Sequence, residues 1–346
     1  MNKMAMQLEP RDMMTSTHSV GLVPTLVLSA EEREIVSGVV EELPPFDIFN
    51  PTPEILTWAQ QAASRLPSRL VSVLLDFRAR SNEFGTLLFR DLPIDAVLPP
   101  TPQDGRPSSE KGTRVSEGVL LTIMSVLGEL LCYADEKEGA LVQNVIPVQG
   151  KEDTQENTGS AYLEFHTEDG FHPYRPDYVA LLGLRPDHNH RAETATACIR
   201  RVLPKLPNHA IEILRRPLFR IRASTSFGTA WSRTLPILTG HWLDPDMTID
   251  FFLMEPLSPE ADWSFRLLKR YLLQETVSVV LEPGDLILVD NALAAHARTG
   301  FEARYDGYDR WLQRAFAVRD SRRLQAFRGL GLPTFEPLPI AVEAGE

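Results

Sequence analysis

Glu164-Phe165-His166-Thr167-Glu168-Asp169-Gly170-Phe171-His172-Pro173 is the stretch on which the reading of this chain turns. Its kernel is His-x-Glu. Side chains alternate along an extended segment with period two, so His166 and Glu168 would share a face. One imidazole and one carboxylate on one face supply two thirds of a 2-His-1-carboxylate triad, which holds non-haem Fe(II) and leaves coordination positions open. Three residues match by chance in many proteins, so the reading needs a third ligand and a fold that delivers it.

Around this stretch the pattern is β. Short apolar or alternating runs at 162–166, 178–184, 194–200, 219–222, 247–252, 277–281, 285–289 and 311–318 lie between turn residues. Helices at 208–215 and 258–274 interrupt them. Many short strands with few helices argue for a β-sandwich or jelly roll with helices packed outside, not a parallel α/β sheet. Upstream the periodicity is helical. Ser29 can cap a helix over Ile35, Val36, Val39 and Val40, and a second helical region after Pro53 breaks near Pro67. A strand at 85–90 precedes a long, proline-rich surface connection over 93–112. The spacing of Leu120, Leu121, Met124, Leu127, Leu130 and Leu131 predicts a helix over 117–133, followed by a strand at 141–147. The expected organisation is a loose arm over 1–22, then one domain over 23–346, with a helical layer at about 29–133 and a β core at about 140–320.

Composition narrows the function. Of 346 residues, 43% are hydrophobic and 24% charged, as in a globular protein. The net charge of -12 works against nucleic-acid binding and favours a small-molecule partner. Two isolated cysteines, Cys132 and Cys198, make neither a disulfide framework nor a Cys-based zinc site. Without a signal-peptide core or a run long enough to span a bilayer, a cytoplasmic location is expected and no membrane partner.

His296 is the candidate third ligand. It follows an apolar strand ending in Asp290-Asn291, which a jelly roll can place beside the His-x-Glu strand; the alternative is a satisfied core histidine. If 311–318 is a strand, Arg310, Leu312, Arg314 and Phe316 share a face. Two inward guanidinium groups are costly unless anions meet them, and each can take a carboxylate bidentately. Structural salt bridges are the competing account. His172 reads as a structural neighbour of the site, Asp290 as either a support for the ligand histidines or a structural residue at a strand end, 226–236 as part of a lid over the substrate, and His188 with His190 as solvated loop residues.

His166-Thr167-Glu168, Phe171-His172-Pro173-Tyr174-Arg175-Pro176-Asp177-Tyr178, Val289-Asp290-Asn291 with His296-Ala297-Arg298, and Arg304-Tyr305-Asp306-Gly307 with Asp309-Arg310-Trp311-Leu312 occur in that order. Together they resemble the clavaminate synthase-like family of Fe(II)/2-oxoglutarate-dependent oxygenases, closest to the branch that hydroxylates free asparagine, arginine and lysine. The likeness runs from about 53 to 319. It implies a double-stranded β-helix core with flanking helices and the iron ligands His166, Glu168 and His296. It also implies Arg310 with Thr194 on the far carboxylate of 2-oxoglutarate, Thr196 being the alternative, and Arg314 on the substrate α-carboxylate. Glu136, Asn157 and Asp250 would contact the amino acid. The pattern of the arginine hydroxylases has an Asp-x-Asp pair, whereas here Asp250 is followed at the second position by Phe252, which disfavours an arginine substrate.

The implied reaction uses O2 to hydroxylate a free L-amino acid, at Cβ by analogy, while 2-oxoglutarate becomes succinate and CO2. Glu168 disfavours halogenation, which requires a non-coordinating residue there. Two alternatives stand beside it: desaturation or cyclisation by an oxygenase of the same family, and a non-catalytic jelly-roll protein holding structural zinc, for which no fourth ligand is evident.

Overall fold

The computed structural model describes residues 22–106, 110–227, 231–322 and 334–335. The expected arm over 1–22 lies, apart from Leu22, outside the described residues.

Capping decides where the upstream helices begin. Ser29 and Glu32 form a reciprocal capping box on Ala30–Glu41, with Ser29 N–H donating to Glu32 Oε2 at 2.8 Å. Pro53 opens Pro53–Ala63 at its first turn, and Pro67 immediately precedes Ser68–Arg80. These helices enclose Val115–Leu127, whose side chains are buried almost all round.

That enclosed helix is shorter than its periodicity predicts. At Gly128 an added Cβ would lie 2.1 Å from the Val318 carbonyl oxygen, so the backbone crosses directly onto a neighbouring strand. Glu129–Tyr133 then pairs antiparallel with Trp311–Val318, with Leu131 opposite Phe316. Leu130 and Leu131 continue the helical spacing but belong to a strand.

Among the described residues the largest sheet runs Thr25–Val27, Thr86–Arg90, Leu286–Asp290, Tyr178–Arg185, Trp311–Val318, Glu129–Tyr133 and Thr334–Phe335, with Gln143–Val145 also paired to Trp311–Val318. A second sheet orders Val277–Val280, Glu193–Cys198, Ala294–Arg298 and Leu163–His166. Tyr178–Arg185 shows how the layers meet. Tyr178, Ala180, Leu182 and Leu184 join the core under the helices, while Val179 joins a core shared with Phe165, Ala195 and Ala297 of the second sheet. A strand buried on both faces carries a continuous apolar run.

Two further boundaries differ from expectation. The run 194–200 stays extended only to Cys198 before turning into Ile199–Val202. The run 247–252 is not a strand: Pro245–Met247 pairs with Leu238–Gly240, and then the Asp250 carboxylate accepts the N–H groups of Phe252 (2.8 Å) and Leu253 (2.6 Å). That Asx turn competes with ladder pairing, leaving one bridge from Asp250 to His166. No helix among the described residues is long and apolar enough to cross a membrane.

Candidate active site

The second sheet assembles the centre by register. His296 on Ala294–Arg298 lies directly across from His166 at the end of Leu163–His166, and their rings stand 4.3 Å apart. Glu168 follows just beyond the strand, where Thr167 N–H donates to the Ile249 carbonyl at 2.8 Å. Asn291 holds this turn: its Oδ1 accepts from Glu168 N–H at 2.7 Å, and its Nδ2 donates to the carbonyls of Glu168 and Pro176. The sequence places Asn291 in a motif but does not show that task.

His166, Glu168 and His296 each bring one ligand atom within 4.8 Å of the others. The His166 Nδ1 faces the Glu164 carbonyl at 2.8 Å, so Nε2 carries the lone pair toward the centre. His296 Nε2 is 3.5 Å from Glu168 Oε2, and its buried Nδ1 has no hydrogen-bond partner. Two imidazoles and a carboxylate converging on one point fit a divalent metal of the Fe(II) class. Burial, with the nearby His166, lowers the His296 pKa and keeps its imidazole neutral. Burial raises Glu168, but the Arg314 charge and both histidines outweigh it and hold this carboxyl well below the usual range.

Arg314 lies 5% exposed on Trp311–Val318. Its Nη1 donates to Glu168 Oε1 at 2.8 Å, its Nη2 to Glu136 and Gln143, and its Nε to Gln143 Oε1 at 3.1 Å. Burial lowers the Arg314 pKa, but Glu136 and Glu168 more than reverse this. The Glu136 carboxyl is pushed up by burial against the pull of Arg314. Gln143 escaped sequence reasoning; a glutamine in a short apolar strand looks like an ordinary polar residue until its strand is set beside Arg314.

At the opposite end Arg310 is 4% exposed, and its Nη2 is 3.3 Å from Thr194 Oγ1. Burial pushes its pKa down to about 10. Thr196 faces elsewhere, donating nothing here and accepting from Thr86 Oγ1 at 3.1 Å. Asn157 and Asp250 line the same cavity as the metal triad, Arg310, Arg314 and Glu136. Phe252 lines it too, but as a rim residue that is 53% exposed. Asp169, missed from sequence, is a buried wall residue with backbone φ of 48° and an unpartnered Oδ2; burial, then Glu136 and Glu168, raises its pKa strongly.

Other candidates sort out by contact. His172 is buried against Tyr133, its Nδ1 accepts from Tyr174 N–H at 3.1 Å, and it stands outside the metal group. Asp290, considered as a support for the histidines, instead pairs with Arg319 at 2.7 Å and accepts from Ala292 N–H. His188 is not solvated as expected: its side chain is 14% exposed and meets Asp306 at 3.1 Å. His190 is exposed and pairs with Glu282. Of the suggested lid over 226–236, residues 228–230 lie outside the described residues; before them Ser224 lines the cavity and donates to Glu156 at 3.2 Å.

The L-asparagine oxygenase of Streptomyces coelicolor is 40% identical over 282 residues, covering 80% of this chain and 84% of that protein. Clavaminate synthase 2 of Streptomyces clavuligerus is 32% identical over 300 residues, covering 84% and 90%. The chain belongs to the clavaminate synthase-like family of Fe(II)/2-oxoglutarate-dependent oxygenases. A profile for the taurine catabolism dioxygenase TauD, TfdA family matches residues 253–316 of the oxygenase. Its fold matches that of asparagine oxygenase solved with Fe(II), 2S,3S-3-hydroxyasparagine and succinate, with a TM-score of 0.85, 37% identity and coverage of 90% of this chain and 99% of the other. The oxygenase is thus an enzyme that uses Fe(II), with 2-oxoglutarate and O2 as cosubstrates.

Proposed function

We propose that this enzyme hydroxylates a free L-amino acid at Cβ, with His166, Glu168 and His296 holding Fe(II). The observation that carries this reading is the cavity itself, which sets two separate buried guanidinium seats, Arg310 and Arg314, around one triad of metal-binding side chains. In this reading the two large sheets are the halves of a double-stranded β-helix, and residues 23–346 act as one oxygenase domain.

Bound iron supplies O2 activation coupled to decarboxylation of 2-oxoglutarate to succinate and CO2. The chain supplies position. Arg310 and the Thr194 hydroxyl take the distal carboxylate, so the 2-oxo acid end lies toward the histidines. Arg314 takes the substrate α-carboxylate, exchanging its bond to Glu168 Oε1 for one to the ligand, while Glu136 faces the α-ammonium. Holding both ends of the backbone this way presents Cα and Cβ to the triad, and the buried walls exclude water.

The side-chain end favours a short polar residue. Asp250 spends Oδ1 on two backbone N–H groups and has Oδ2 for a ligand, with Asn157 in the same wall. Of the other acids in that wall, Glu164 is paired with Lys269 at 2.8 Å and Glu156 accepts from Ser224 at 3.2 Å. Phe252 offers no second carboxylate for a guanidinium, and the first substrate to test is asparagine. The test is Fe(II)-loaded protein with 2-oxoglutarate and each proteinogenic amino acid, reading succinate and a product heavier by one oxygen. One amino acid should stimulate both. A product lighter by two hydrogens would assign desaturation instead, and succinate release that no amino acid stimulates would overturn the free-amino-acid reading.

A further inference from the structure

On the strand Ala294–Arg298, residues 296 and 298 share a face, so the side chain that follows His296 into the cavity is Arg298. Arg298 is 4% exposed and stands in register with Thr194 on one neighbouring strand and Leu163 on the other. Its Nη2 donates to the Ala161 carbonyl at 2.7 Å, but its buried Nε has no partner. The guanidinium lies 5.3 Å from the centre of the Phe301 ring, and the Arg310 guanidinium lies 5.8 Å from the same ring. The two cations therefore stand against the same aromatic ring at one end of the cavity, and both neighbour Thr194, which is in register with Arg298 and 3.3 Å from Arg310 Nη2.

This pairing is costly as it stands. Arg310 has the Thr194 hydroxyl and the charge of Asp187 to offset its burial, whereas Arg298 has one carbonyl oxygen and the Phe301 ring, and the charge that faces it is Arg310 itself. Apolar Val145, Leu163, Leu181 and Leu312 make up the surrounding wall. An anion entering this end would meet both cations in a low-dielectric setting, where each is worth more than at the surface.

We propose that Arg298 is a second guanidinium for the distal carboxylate of 2-oxoglutarate, making this end selective for 2-oxo acids that carry a terminal carboxylate. The proposal rests on reading the Arg310 end as the cosubstrate seat. Its role beyond that seat is discrimination: a 2-oxo acid lacking the far carboxylate would leave two cations unmatched instead of one.

The test compares wild type with Arg298→Gln, Arg298→Lys and Arg310→Gln. Binding of succinate to metal-free protein is measured by calorimetry, and binding of 2-oxoglutarate and 2-oxobutyrate to Mn(II)-loaded protein likewise. Arg298→Gln should weaken succinate and 2-oxoglutarate by 10- to 100-fold, leave 2-oxobutyrate within 3-fold, and leave the amino-acid KM of the Fe(II) enzyme within 3-fold. Arg298→Lys, which keeps a donor for the Ala161 carbonyl and a charge, should lose less, and it carries the test if the Gln variant does not fold. Unchanged dicarboxylate affinity in both Arg298 variants, or an equal loss for 2-oxobutyrate, would overturn the role. If Arg310→Gln also leaves dicarboxylate binding unchanged, the cosubstrate seat itself is misplaced, which is a different failure.

Discussion

Arg314 carries the heaviest electrostatic duty in the cavity, since it alone offsets Glu136 and Glu168 at once. Arg314→Gln should raise the amino-acid KM by at least about 100-fold while 2-oxoglutarate affinity, measured by calorimetry, stays within a few fold. Because it strands two buried carboxylates, the same change should also cost about 3–5 kcal/mol in denaturant unfolding. His172 makes a different, pH-dependent demand. Burial depresses its pKa to about 4 from 6.5, and its Nδ1 must stay unprotonated to accept from Tyr174. Between those values the unfolded chain binds a proton that the folded chain does not, so stability falls as pH drops from about 6.5 toward 4. The loss attributable to His172 is roughly 3 kcal/mol. Urea unfolding at pH 7 and pH 4.5 should show that portion removed in His172→Asn, which keeps a side-chain acceptor near the Tyr174 N–H.

The passage from Val115–Leu127 to Glu129–Tyr133 hinges on Gly128, extended and in direct contact with the Val318 backbone. Gly128→Ala forces helix and strand apart, and should cost about 3 kcal/mol, read as a lowered urea midpoint at unchanged slope. This junction also shows what could be read from residue order. Helix starts at Ser29 and Pro53 were legible because capping chemistry is local, and Trp311–Val318 was legible to the residue because both of its faces are apolar or charged in alternation. The end of the long helix was not, since Leu130 and Leu131 satisfy either period. Ala294–Arg298 was likewise invisible as a strand: alanines carry little strand preference, and only its neighbours on both sides fix its conformation. His166, Glu168 and His296 could be gathered from motif order, whereas Gln143, Asp169 and Asn291 act through contacts that only the folded register creates.

The helical layer and the larger sheet are joined by a buried ionic network. Lys111 pairs with Asp95 at 2.6 Å and Glu117 at 2.5 Å, and Glu117 Oε1 accepts from Gln313, the residue beside Arg314. The connection over 93–112, read from sequence as a surface loop, thereby sends a lysine inside. Lys111→Met leaves two buried carboxylates unmatched and should destabilise by about 3–5 kcal/mol. Adding Asp95→Asn and Glu117→Gln should restore most of the loss in the same unfolding measurement. Recovery of stability without recovery of the amino-acid KM would show that this network also holds Arg314 in place.

Leu163–His166 is the outermost strand of its sheet, and its outer side is held by the bridge from Asp250 to His166, by backbone bonds to Ile249 and Phe251, and by the Gln155 side chain, which accepts from Glu164 N–H at 3.0 Å. An outermost strand with open N–H and C=O groups is where chains are cut or recruited into aggregates. With His166 facing His296 across this seam, a shared metal would act as a clasp on that margin. Chelator-treated protein should therefore be nicked by protease near residues 148–166 faster than metal-loaded protein, and cobalt or zinc should protect the seam as well as iron does.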